Sequence, residues 1–110
     1  MHKAIEQTFP DLAAIREAVH AVCTGNHVAR VELFGSAANG RAGEGSDVDL
    51  LIEFKPEAHV GLFEMGALRE DLEERLGRRV DLVTRNAVER SRNAIRRESI
   101  LTHLIPVYGG

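Results

Sequence analysis

Apolar positions along the chain follow two rhythms, one of three and four residues and one of two. Over residues 11–23, Leu12, Ile15, Val19 and Val22 form one stripe of a helix, with Pro10 and Asp11 suited to its start and Gly25 to its stop. Residues 28–34 (VARVELF) read as a strand, Val31 and Leu33 being set apart by polar or small neighbours. A glycine-rich loop covers 35–46. Residues 48–54 (VDLLIEF) are a second strand, and their nearly continuous apolar run places it centrally in a sheet. Leu62, Met65, Leu68, Leu72 and Leu76 recur at helical spacing over 61–76, before Gly77 as a C-terminal stop. Residues 79–84 (RVDLVT) are a third strand. Asn86 suits the cap of a helix reaching to about Leu104, with breaks expected near Ser91 or Ser99. Ile105 to Tyr108 form a short last strand ended by Gly109-Gly110. The order of elements predicts an α/β (α+β) domain, a small mixed β-sheet flanked by helices.

Composition narrows the picture. Length 110 fits a single domain over residues 1–110, and so small a core leaves a partner room to contribute to stability. Hydrophobic content of 44% and charged content of 28% are those of an ordinary soluble globular chain. A formal net charge of −3 argues against general attachment to nucleic acid. No apolar run is long enough to span a bilayer, and Met1-His2-Lys3 leads into no signal-peptide core, so a cytoplasmic location is expected. Cys23 is the one cysteine, which excludes an intrachain disulfide, and with His2, His20, His27, His59 and His103 it makes no zinc pattern. Charge is unevenly placed. Seven arginines between Arg78 and Arg97 face only Asp81 and Glu89, whereas Glu44 to Glu57 hold five acids and one lysine. A solvated face is the plain reading of the arginines; contact with phosphate or an acidic partner surface is the sharper one.

The loop reads Gly35-Ser36-Ala37-Ala38-Asn39-Gly40-Arg41-Ala42-Gly43-Glu44-Gly45-Ser46, followed by Asp47-Val48-Asp49-Leu50. Gly35 ends a strand and lets backbone come close to a ligand. Ser36 and its successors are expected to open a short helix whose amide groups face an anion, with the Ser36 hydroxyl as a further donor. Gly40, Gly43 and Gly45 are expected to supply positive φ angles for a return loop over a polyphosphate. Asp47 and Asp49, at i and i+2 of a strand entrance, share one face with α-carbons roughly 6–7 Å apart. Two carboxylates that close raise one another's pKa, and a divalent cation, Mg²⁺ above all, accounts for the pair. Asp81 interrupts the apolar strand 79–84. With alternating side chains it faces away from Val80 and Leu82, and a neighbouring strand would bring it beside Asp47 and Asp49 to complete a metal site or to take a proton. The plain readings are a strand-to-helix turn for Gly35-Ser36, a capped turn for Asp47 and an edge-strand acid facing solvent for Asp81.

Gly35-Ser36, three residues, Gly40, five residues and Ser46-Asp47-Val48-Asp49-Leu50 together resemble the pattern of the DNA polymerase β-like nucleotidyltransferase superfamily. Leu51-Ile52-Glu53-Phe54, Leu76-Gly77, Val80-Asp81-Leu82-Val83 and the tail from Ile95 to Tyr108 are similar to its smallest branch, the minimal nucleotidyltransferases. These include the MNT antitoxins encoded with HEPN-domain ribonuclease toxins. The resemblance implies a nucleotidyltransferase fold and Mg²⁺ (two ions) on Asp47, Asp49 and Asp81, the three catalytic acids. It further implies a nucleoside triphosphate held by Gly35, Ser36, Gly40, Arg41 and Ser46. Many relatives carry an arginine where this chain has Asn39, which removes one phosphate contact; whether Arg41 replaces it is open in the sequence.

By the same resemblance, the expected activity is transfer of AMP from ATP to a tyrosine of a HEPN toxin, the chain acting as antitoxin. The alternative is an antitoxin that masks its toxin by contact alone. Polymerisation on a nucleic-acid end needs a further domain to hold the primer, for which this length leaves no room. A homodimer is compatible with the apolar helices.

Overall fold

The computed structural model describes residues 9–43 and 45–109. The N-terminal residues 1–8, Glu44 and Gly110, and with them the expectations about a leader and the last glycine, lie outside the described residues.

Helix α1 (Leu12–Cys23) starts where Asp11 Oδ1 accepts the amide of Ala14 at 2.8 Å, an N-cap of the usual kind. Its Ile15, Val19 and Val22 are buried, as their spacing predicts. Strands β1 (Val28–Phe34) and β2 (Val48–Phe54) pair antiparallel, with Phe34 opposite Asp49. Helix α2 (Leu62–Leu76) then carries the chain back, so that β3 (Val80–Thr84) runs parallel to β2. Gly77 closes α2 in the left-handed region at φ 66°, its amide bonded to Glu73 O at 2.8 Å. The last strand, β4 (Ile105–Gly109), adds antiparallel to β1, giving the order β3-β2-β1-β4. This is the mixed sheet expected, with β2 inside it.

Side chains leave the sheet in two directions. Val31, Leu33, Val48, Leu50, Ile52 and Val80 pack with α1 and α2 in the main core. On the other face Phe34 and Leu51 meet Val88 and Ile100 in a smaller cluster. Asp49 and Asp81 belong by alternation to this second, thinly covered face. The stripe of α2 is buried at Leu68 and Leu72 and partly buried at Met65 and Leu76. Leu62, expected in the same stripe, is instead 92% exposed, because it opens the helix beyond the reach of the sheet.

The expected helix from Asn86 to Leu104 is two helices, α3 (Arg85–Glu89) and α4 (Ala94–Thr102). The break falls near Ser91, and Ser99 lies inside α4. Thr84, still in β3, caps α3 by accepting the Ala87 amide, and Asn93 caps α4 by accepting that of Arg96. Asn86 therefore sits inside α3 rather than at its cap. No helix among the described residues is long and apolar enough to cross a membrane.

Candidate active site

β1 ends at Phe34, and the chain turns at Gly35 with φ 77°, a conformation open to glycine and strained for other residues. A β-carbon there would lie 2.1 Å from Asp49 Oδ2. Close approach is thus the purpose of Gly35, as its position predicts, but the group approached is a carboxylate of the protein itself. The residues after Gly35 do not open a helix. They form a tight turn closed by Arg41 N to Ser36 O at 2.8 Å and by Asn39 N to Gly35 O at 3.2 Å. The Asn39 side chain adds a bond to the same carbonyl at 3.0 Å. The amides of Asn39, Gly40 and Arg41 thus bond back to carbonyls within the turn. The Ser36 hydroxyl has no partner among the described residues, and Arg41 is exposed.

Gly40 has the expected positive φ, 71°, and Gly43 does not. The return half of the loop is fastened from outside. Ser46 Oγ accepts the Gly43 amide at 2.9 Å, and Arg78 donates to the carbonyls of Gly43 and Ser46 at 3.2 and 3.1 Å. Arg78 also lies over the Phe9 ring at 4.9 Å. Val48 N bonds to Arg79 O at 2.9 Å, which ties the loop exit to the start of β3.

These constraints set the carboxylates. Asp49 lies directly opposite Asp81 in the parallel register, on the same face of the sheet. Asp47 precedes β2 by one residue and has the parity of Asp49. Burial pushes the Asp49 carboxyl up to about 6, with the charges of Asp81 and Asp47 adding to the rise and Arg96 opposing it. Asp47 Oδ1 is 3.3 Å from Arg79 Nε, but that guanidinium is 82% exposed and so lightly held. Asp81 is exposed at the edge strand, facing away from Val80 as alternation requires.

Among the described residues no three His, Cys, Asp or Glu side chains close into a ready cation cage. The donor set nonetheless fits Mg²⁺. That ion is held by one or two carboxylates together with substrate phosphates rather than by an all-protein cage, and crowding of negative charge at Asp49 is what a cation relieves. A groove of about 990 Å³ between α1 and β4, bordered by His20 and Tyr108, lies away from this chemistry.

Of the arginine run, Arg79 reaches Asp47, and Arg85 is tied to Glu32, Glu53 and Glu89. Arg97 donates to the backbone oxygen of Ser91. The charge of Arg96, one turn before Ile100 on α4, reaches Asp49 and opposes the rise of its carboxyl. Its place was invisible in the sequence, since it depends on where α4 begins. Arg78, which shapes the loop from 32 and 35 residues away, was equally hidden.

Residues 15–105 match the family model described as a nucleotidyltransferase domain. The protein adenylyltransferase MntA of Thermococcus cleftensis is 42% identical over 62 residues, 56% of this chain and 61% of that protein. The chain spans about three fifths of the length of the curated relatives it matches. A solved structure assigned as a minimal nucleotidyltransferase is 38% identical at TM-score 0.68, over 88% of this chain and 96% of that one. A solved complex of a tri-AMPylated Shewanella oneidensis HEPN toxin with an MNT antitoxin matches at TM-score 0.62. At 18% identity over 90% of this chain and 73% of that one, this last likeness is one of fold.

Proposed function

The chain belongs to the nucleotidyltransferase domain family, and from that membership we propose that it is a Mg²⁺-dependent protein adenylyltransferase acting as an antitoxin. In this reading it transfers AMP from ATP to a tyrosine of a HEPN-domain toxin. The observation that carries it is the juxtaposition of Asp49 with Asp81 across two parallel strands, with Gly35 packed against the Asp49 carboxylate.

Gly35, Ser36, Gly40 and Arg41 receive the triphosphate in this proposal, while Ser46 acts by shaping the loop through Gly43. Asp47 and Asp49 would hold the cation. A Mg²⁺ ion held by these carboxylates would offset the charge of the α-phosphate and of the departing pyrophosphate. The acceptor hydroxyl oxygen forms a bond to the α-phosphorus, the bond from that phosphorus to the bridging oxygen breaks, and pyrophosphate leaves with the bonding pair. Asp81 is the exposed carboxylate of the three and is the one assigned to take the hydroxyl proton, since Asp47 is engaged by Arg79 and Asp49 is the more buried. Arg96 stands where it can balance phosphate charge beside Asp49. The adenylyl donor is supported by the name of the MntA relative, and the HEPN acceptor by the complex with the shared fold.

The test is incubation of the chain with ATP, Mg²⁺ and a HEPN-domain partner, followed by mass spectrometry of the partner. AMP on a tyrosine with the native chain, and none with Asp47→Ala plus Asp49→Ala, is the expected result. Undiminished modification by the double variant would contradict the role given to the two carboxylates. Toxin neutralisation that survives in the double variant would favour masking by contact instead.

A further inference from the structure

The connection between α3 and α4 carries a surface that the transfer chemistry does not use. Arg90, Arg92, Arg96 and Arg97 fall within residues 90–97 with no acid among them. Arg97 is bonded to the Ser91 backbone, whereas Arg90, Arg92 and Arg96 form no ion pair among the described residues. Ile95, amid them, is 85% exposed. In a chain of net charge −3, this cluster is a local reversal of sign with an apolar point at its centre.

Its position gives the cluster meaning. Val88 of α3 and Ile100 of α4 pack on Phe34 and Leu51, which puts both helices on the sheet face that bears Asp49 and Asp81. The charge of Arg96 is felt at Asp49 from the same helix that exposes Ile95. Beside it a cleft of about 160 Å³ has Val83, Ala87, Val88 and Ile100 as apolar walls and Ser91, Arg96 and Arg97 at its polar side. Val83 follows Asp81 by two residues and so shares its face of β3. A slot with apolar walls on the face of Asp81, rimmed by arginines that form no ion pair among the described residues, is shaped for a side chain delivered by an acidic segment.

We propose that Arg90, Arg92 and Ile95, with the cleft beside Val83, dock the acceptor through an acidic protein segment that carries an aromatic side chain. The proposal rests on the reading of the acceptor as a protein tyrosine. Rim arginines of this kind steer an oppositely charged partner and make its association salt-sensitive. A nucleic acid would meet the same arginines, but residues 85–104 contain no Phe, Tyr or Trp on which bases could stack. Exposed Ile95 is a contact suited to protein rather than to phosphate.

The probe is a fluorescent random Glu–Tyr copolymer, followed by anisotropy without ATP, with Glu–Ala and Lys–Tyr copolymers and a single-stranded RNA as comparisons. The Glu–Tyr copolymer is expected to bind best and to weaken as salt rises. Arg90→Glu with Arg92→Glu is expected to weaken it by about tenfold or more, Arg90→Gln with Arg92→Gln by less, and Ile95→Asp measurably. All three variants should bind AMP-PNP with Mg²⁺ as the native chain does, which confirms that they are folded. Copolymer binding within about twofold of native in the charge-reversed variant would overturn the proposal. So would RNA binding that is tighter than Glu–Tyr binding and lost in the same variants. Retained Glu–Tyr binding without AMP transfer to it would count against the transfer reading and leave the docking surface standing.

Discussion

Asp49 and Gly35 explain one another. The Asp49 carboxyl, pushed up to about 6 by burial and by Asp81 and Asp47, is held in a place where it costs stability when ionised. Between the ordinary carboxylate value of 3.8 and about 6 the folded protein binds this proton more tightly than the unfolded chain. The penalty therefore grows as pH rises through that window and is complete above it. In chelator-treated protein, Asp49→Asn should raise the melting temperature at pH 8, and the gain should fade as pH falls below about 6. A gain independent of pH would contradict this reading. Gly35 makes room for the same group, so Gly35→Ala carries two costs, the strained φ and the collision with Asp49 Oδ2. Strain alone is worth roughly 1–2 kcal/mol, and the collision should take the total above it. Urea titration of Gly35→Ala in the native and Asp49→Ala backgrounds separates the two. The cost should fall to the strain alone once Asp49 is shortened, and equal costs would show no coupling.

Elements differed in how far the sequence exposed them. The four strands, α1 and α2 were legible because apolar periodicity, glycine stops and the Asp11 cap agree with one another. The region 85–104 was not, since its arginines have good helix propensity throughout and hide the break at residues 90–93. Thr84 looks like the last β-branched residue of a strand, although its hydroxyl is what begins α3. The two candidate caps can be told apart. Asn93→Ala removes the acceptor of the Arg96 amide and should cost about 1 kcal/mol in the urea midpoint, while Asn86→Ala should stay within about 0.5 kcal/mol. Similar losses from both would mean that α4 is not capped as described. Of the site, the carboxylates were legible from spacing, and Asp81 from its intrusion into an apolar strand. The loop was less so. Its turn replaces the expected helix because Asn39 and Arg41 close it on Gly35 and Ser36, and its return half is fixed by Arg78, a contact between distant positions that no local pattern records.

At the scale of the whole molecule, the sheet separates two tasks. One face carries most of the buried apolar side chains under α1 and α2, and with them the stability of the fold. The other is covered by two short helices over a small cluster, which leaves the end of β2 and β3 accessible at Asp49 and Asp81. Acidic residues gather at that end and arginines along its rim. In the proposed reading the first would hold a metal–triphosphate complex and the second an acidic acceptor. The most direct measurement compares ATP labelled at the α-phosphate with ATP labelled at the γ-phosphate, each supplied with Mg²⁺, the chain and a HEPN-domain partner. Label on the partner from the α-position alone, lost when Asp47 and Asp49 are both replaced by alanine, is the predicted result. Label arriving from the γ-position, or from neither, would contradict nucleotidyl transfer to such a partner at this centre.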